Sequence, residues 1–316
     1  MNLLSGYKVI DGGLATELVR KGYDFIDDDP LWSARLLHSH PEAIEDVHLS
    51  FLEAGADVII TASYQASVAG FVENLHITED AARSLIRKSV ELAQSAREKF
   101  LKQRPVNAKA SEKPLIAGSV GPYGACLHDG SEYTGAYIQS ISAEELAKWH
   151  RERMQILVEA GVDFLGLESI PVKAEADVLV KLLEEMPGVK AWLTFTCKDG
   201  LHTSHGETIA DAVSSALNSK QIFGIGINCT SPVFVESLLQ KLTPLKDHKL
   251  IVVYPNSGET WTEEKRWRQS DAVESLYCYV PTWLKSGASW IGGCCRTTPD
   301  DIKNIRSTIT EFQNQT

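Results

Sequence analysis

Six cysteines, Cys126, Cys197, Cys229, Cys278, Cys294 and Cys295, carry the most reactive chemistry available to this 316-residue chain. Two are neighbours, in IGGCCRTTPDD (291–301), just after an apolar run and two glycines. Adjacent cysteines seldom bond to each other, because the ring they close is strained. They could ligate one metal ion, pack as small apolar residues, or supply a reactive thiol. Cys229 closes a second apolar run, IFGIGINC (222–229), and Cys197 closes a third, AWLTFTC (191–197). Cys126 follows a glycine-rich turn. Cys278 lies in an apolar helical stretch and is expected in the core.

Each cysteine taken singly is more simply a packing residue. The set changes if the runs that carry Cys229 and the Cys294–Cys295 pair end at the same rim of the molecule. Three thiolates could then hold one Zn²⁺, at zinc–sulfur distances of about 2.3 Å. Three protein ligands leave a fourth position open, as in catalytic rather than structural zinc sites. Thiolates blunt the acidity that zinc needs to activate water. They suit a substrate thiol instead, which at a pKa of roughly 8.5 is mostly protonated at neutral pH unless helped. A thiolate implies an electrophile, and methyl transfer is the natural reaction. The histidine pairs HSH (38–40) and HTSH (202–205) are read as loop or surface residues.

The elements that must position these groups are legible as continuous apolar runs. Strands are expected at 8–13, 57–63, 115–121, 164–169, 191–197, 222–229, 250–257 and 290–295. Unbroken apolarity, rather than alternation, suits parallel strands covered on both faces. Helical patterns lie between them. One opens with Ser142 and Glu145 in capping-box spacing and closes on Gly161. Others begin at Ser231–Pro232 and at Thr298–Pro299, with Asp301 behind. Asp29 and Pro30 of DDDP (27–30) are expected to cap a helix carrying Trp32. EAGADVII, EAGVDFLGL and KSGASWIGG repeat one helix-to-strand unit. KQRPVNAKASEKP (102–114) reads as an exposed loop.

Eight strands alternating with helices fit an α/β fold, a (β/α)₈ TIM barrel forming one domain over residues 1–316. A doubly wound sheet is the rival, weakened because no G-x-G-x-x-G follows the first strand. In a barrel, function gathers at the C-terminal strand ends. Those ends here read Asp11-Gly12-Gly13, Ser63-Tyr64-Gln65, Glu168-Ser169, Asn228-Cys229 and Cys294-Cys295. A Schiff-base lyase would want a lysine at one of them, and none is there. The net charge of −11 and the lack of any basic block argue against nucleic acid or an anionic membrane as partner. No apolar run approaches the roughly 20 residues of a membrane span, and no targeting signal is read at the start. A cytoplasmic address is expected, where thiols stay free or metal-bound, and a monomer or small homo-oligomer.

The chain resembles the zinc-dependent homocysteine S-methyltransferases. The matching pieces are DGGLATEL, PLWSARLL, EAGADVIITASYQAS, GSVGPYG, DFLGLESIP, GINC and GGCC, in family order over nearly the whole chain. The resemblance implies that Cys229, Cys294 and Cys295 bind zinc. It also implies that Asp11 and Glu168 seat the amino-acid end of L-homocysteine. A carboxylate such as Glu168 would complement the ammonium group, and backbone N–H groups at Gly12 and Gly13 could take the carboxylate. Trp32 and Tyr64 are the candidates for the donor, because an aromatic face attracts a sulfonium cation by roughly 0.5–2 kcal/mol. The resemblance implies methyl transfer from S-methylmethionine or S-adenosylmethionine to L-homocysteine, giving methionine. The alternatives are betaine as donor, selenocysteine or selenohomocysteine as acceptor, or a zinc- and thiol-binding barrel without catalysis.

Overall fold

A computed structural model describes residues 6–103, 113–245, 248–261, 267–268 and 274–315. The loop expected at 102–114 falls mostly outside the described residues. Ten strands are present among them: β1 Lys8–Val9, β2 Val58–Ile60, β3 Leu115–Val120, β4 Phe164–Ile170, β5 Ala191–Phe195, β6 Ile222–Asn228, β7 Leu250–Tyr254, β8 Thr260–Trp261, β9 Trp267–Arg268 and β10 Trp290–Ile291. β8 and β9 form a separate antiparallel ribbon. The other eight pair in the order β1-β10-β7-β6-β5-β4-β3-β2, every pair parallel. A parallel bridge between Ile10 and Val58 joins β1 to β2 and closes the ring. The Asp57 amide donates to the Val9 carbonyl at 2.7 Å and the Asp11 amide to the Val58 carbonyl at 3.0 Å. The fold is a (β/α)₈ barrel, and closure excludes the doubly wound sheet.

Helices cover the outside as the periodicity requires. The helix Ala143–Glu159 carries the expected reciprocal cap between Ser142 and Glu145. Pro232 begins Pro232–Leu242, and the amide and hydroxyl of Thr298 both donate to Asp301 at 2.8 Å before Pro299–Gln315. Asp29 accepts from the Leu31 amide at 2.8 Å and from Arg35 at 2.7 Å. It does not cap the helix as expected: the segment carrying Trp32 is a 3₁₀ turn, Trp32–Arg35, with Leu31 at its N-cap and no side-chain cap.

Side chains alternate between lumen and helix layer. Phe164, Trp192, Phe223 and Trp290 plug the lower lumen, with neighbouring ring centroids 5.1–6.0 Å apart. On β6, Gly224 and Gly226 leave no room for a larger residue against β7, where the Val252 backbone crowds Gly226. A Cβ at Gly224 would stand 2.9 Å from a Val252 methyl. Above the aromatic plug the lumen turns polar, with Ser119, Glu168, Thr194, Asn228 and Tyr254 all buried. Most strands end before their apolar runs do. β10 stops at Ile291 instead of 295, and β1 at Val9 instead of 13. The residues with chemistry thus sit on the loops just past the ladder.

Candidate metal and substrate site

Cys229, Cys294 and Cys295 converge at the C-terminal rim, past β6 and β10. Their sulfurs all lie within 4.8 Å of one another, the group of three among the described residues that could hold a metal ion. The Cα atoms of Cys229 and Cys294 are 5.6 Å apart and their sulfurs are bonded to each other. That pairing departs from the expectation that all six thiols are free or metal-bound. The closeness also suits a shared ion, because sulfurs bound to one tetrahedral ion stand only about 3.8 Å apart. The donor set is three soft sulfurs with no competing carboxylate, which fits zinc. Burial pushes the Cys295 thiol up to about 12. At neutral pH it ionises only with a cation beside it.

The backbone is built to bring these loops close. Cys229 adopts a left-handed conformation, with φ 46°, as does Ser169 with φ 58°. Such strained residues persist where the surroundings over-determine them. The Cys294 amide donates to the Pro255 carbonyl at 2.8 Å, and the Cys295 amide to Asn256 Oδ1 at 3.2 Å. Thr297 Oγ1 donates to the Cys294 carbonyl at 2.7 Å and accepts from the Gly13 amide at 3.0 Å. This alters the role expected for the glycines. Gly13 already spends its N–H on Thr297, and a Cβ there would stand 2.6 Å from the Cys294 carbonyl. A Cβ at Gly12 would meet Phe51 at 2.8 Å. Their smallness lets β1 lie against the cysteine loop.

The other cysteines stay apart. Cys197 is buried, and its backbone amide donates to Thr230 Oγ1 at 3.0 Å. Cys126 contacts the Gln65 carbonyl at 3.3 Å. Cys278 is exposed on Leu276–Lys285, not in the core, because Leu276, Val280, Trp283 and Leu284 take the inward face. His202 and His205 bond locally to Asp199 and Glu207, at 3.0 and 3.1 Å.

Beside the thiols lies the polar layer. β4 carries one extra residue against β5 between Leu167 and Ile170. Glu168 lies within this bulge, with its side chain in the polar layer of the lumen. It accepts from Ser119 and, at 3.0 Å, from the Tyr254 hydroxyl. The network continues through Thr194, 2.9 Å from the Tyr254 hydroxyl, to Asn228 Oδ1 at 2.8 Å, and on from Asn228 Nδ2 to Ser169 at 2.7 Å. Burial, against these hydrogen bonds, leaves Glu168 raised to about 7. Asp11 accepts from the Ile60 amide at 2.8 Å through one oxygen. Its other oxygen, Oδ1, is buried without a partner. Burial, with Glu168 nearby, holds Asp11 well above the usual carboxylate range. A cationic ligand group would satisfy that oxygen.

Trp32 and Tyr64 come together as an edge-to-face pair, centroids 6.1 Å apart at 71°. The loop behind Tyr64 is held by Arg153, buried on the helix Ala143–Glu159, which donates to the carbonyls of Ser63 at 2.9 Å, Tyr64 at 2.7 Å and Gly121 at 3.3 Å. Nothing in the local sequence marked Arg153 as more than one position of a helical stripe, and Ser119, Thr194 and Tyr254 read only as strand residues. The exception was Asn228, already visible in GINC.

The homocysteine S-methyltransferase family profile matches residues 8–309. Homocysteine S-methyltransferase 2 of Zea mays is 44% identical over 315 residues, covering 98% of this chain and 92% of that protein. Selenocysteine methyltransferase of Astragalus bisulcatus is 44% identical over 329 residues, covering 98% and 94%. The crystal structure of the metallated form of the homocysteine methyltransferase MmuM from Escherichia coli superposes with a TM-score of 0.84, at 41% identity and 96% coverage of both chains.

Proposed function

Because this chain belongs to the homocysteine S-methyltransferase family, a family of methyltransferases, we propose that it moves a methyl group from a sulfonium donor to the thiol of L-homocysteine. S-methylmethionine is the favoured donor and S-adenosylmethionine the second. Cys229, Cys294 and Cys295 would hold Zn²⁺, which when bound keeps an acceptor thiol ionised at neutral pH. The observation that carries this reading is the meeting of three sulfurs within 4.8 Å beside a buried carboxylate layer open to a ligand ammonium.

The chain's own residues supply position and charge. Asp11 Oδ1 and Glu168 face the acceptor's ammonium, and the Gly12 backbone is left for its carboxylate. That orients the thiol toward the cysteines. Trp32 and Tyr64 receive the sulfonium. The acceptor sulfur forms a new bond to the methyl carbon, the old carbon–sulfur bond breaks, and its electron pair leaves with the donor sulfur as a neutral thioether. No proton is taken from carbon, so no general base is needed there; the main contribution is alignment. A selenium acceptor is the second reading, favoured by the similarity to a selenocysteine methyltransferase. Elemental analysis and methionine formation from L-homocysteine with each donor test the proposal. We expect about one zinc per chain and methionine from at least one sulfonium. A metal-free reduced protein that turns over at the full rate would overturn it.

A further inference from the structure

The mouth of the barrel holds a second orphaned carboxylate that the acceptor does not use. Glu132 lies on the short turn Ser131–Tyr133, past β3. Its Oε2 is buried with no partner. The turn is pinned: the Ser131 amide donates to Asp129 at 2.9 Å and the Ser131 hydroxyl contacts the Gly124 carbonyl. Gly124 packs there so tightly that a Cβ would stand 2.8 Å from the Glu132 amide nitrogen. The loop that carries it packs on the aromatic pair's segment: a Cβ at Gly121 would stand 2.7 Å from the Tyr64 ring, and Cys126 meets the Gln65 carbonyl at 3.3 Å. Glu132 therefore belongs to the loop that lines the donor side, next to the segment carrying Tyr64.

We propose that Glu132 selects the donor by accepting a hydrogen bond from its primary ammonium group. The inference rests on the sulfonium-to-homocysteine reading above. S-methylmethionine and S-adenosylmethionine each carry an ammonium group, and so does homocysteine. Two cationic groups must then be bound at once, and among the described residues the mouth offers two buried carboxylate oxygens without partners, Asp11 Oδ1 and Glu132 Oε2. A betaine has a quaternary nitrogen with no N–H to give, so it would leave Glu132 unpaired.

Charge flow predicts which kinetic parameter responds. The sulfonium charge disappears as the methyl group moves, but the ammonium charge does not. A carboxylate on the ammonium binds ground state and transition state alike and acts on KM. A carboxylate on the sulfonium would instead favour the ground state and slow the transfer. Wild type, Glu132→Gln and Glu132→Asp are compared for kcat and KM with S-methylmethionine at saturating L-homocysteine, with zinc content and the homocysteine KM as controls. We expect Glu132→Gln to raise the donor KM by about tenfold or more, the ordinary loss for one charged hydrogen bond. The homocysteine KM and zinc content should stay within about twofold, and Glu132→Asp should recover part of the loss. Binding of 3-dimethylsulfoniopropanoate, a sulfonium acid without an amine, should be equal in wild type and Glu132→Gln. An unchanged donor KM, an equal rise in the homocysteine KM, or a faster kcat in Glu132→Gln overturns the inference. A wild-type protein that makes methionine from neither sulfonium overturns the functional reading itself, and this inference with it.

Discussion

The thiols of Cys229, Cys294 and Cys295 form a unit, and their replacement separates metal binding from packing. Serine keeps the size but is a poor ligand for a soft site. Cys229→Ser, Cys294→Ser and Cys295→Ser should each lose most of the zinc and reduce methyl transfer by at least about a hundredfold, a loss typical of damaged metal sites. Cys126→Ser and Cys278→Ser should keep both, since neither sulfur lies in the cluster. Cys197→Ser should keep zinc at a small cost in stability, because a hydroxyl replaces a buried thiol. Zinc content measured across the six variants checks the assignment. Loss of zinc on changing Cys197 alone would place the ligand set elsewhere.

At the scale of elements, the helix Ala143–Glu159 supports the donor side through one residue. Arg153 is buried, stacks at 4.7 Å on the Trp149 ring and ties down three carbonyls around Tyr64. Arg153→Met keeps much of the bulk and removes every donor. It leaves buried carbonyls unsatisfied, at about 1–3 kcal/mol each before relaxation. We expect a clearly lowered unfolding midpoint and a donor KM raised more than the homocysteine KM, because the Ser63–Tyr64 loop borders the donor side. Chemical denaturation and steady-state kinetics on the same preparation test this. Equal effects on both substrates would mean that Arg153 stabilises the barrel without shaping the donor side.

The whole molecule has buried groups whose pH dependences oppose each other. His48, on the helix Pro41–Glu53, is buried with both ring nitrogens unpartnered, and burial pushes it down from 6.5 to about 4. Its contribution is complete above pH 6.5 and is lost as pH falls toward 4. Glu168 is raised from 4.5 to about 7. Its contribution is complete below pH 4.5 and is lost as pH rises through 7. Between pH 4.5 and 6.5 the two slopes have opposite signs, each at most about 1.4 kcal/mol per pH unit. Thermal unfolding of the reduced, metal-free protein should therefore show His48→Leu more stable as pH falls through that window, relative to wild type. Glu168→Gln should show the reverse. Parallel curves for the three proteins would remove both groups from the pH response.

What the sequence determined by itself was local and periodic. Unbroken apolar runs announced parallel strands, because a strand covered on both faces needs no polar residue within its body. Ser142 with Glu145 and Thr298 with Asp301 announced helix starts, because a cap is satisfied within four residues. The Asp11, Glu168, Asn228, Cys229 and Cys294–Cys295 strand ends announced the rim. The Trp32–Tyr64 pair was foreseen only as two candidates, and the folded chain sets their rings edge to face. Only the tertiary structure decided which polar atoms lack partners. Cys278 shows the limit well: its helix is apolar, but which side faces in depends on what packs against it. Glu168 proved hydrogen-bonded through both oxygens, by Ser119 and Tyr254, residues distant in the chain, whereas Asp11 and Glu132 each keep a buried oxygen unpaired. Gly13 looked like an anion-binding turn and serves as a close-packing position against Cys294. Hydrogen-bond satisfaction and steric contact are properties of neighbours in space, and barrel closure is what makes residues near position 11 and position 294 neighbours.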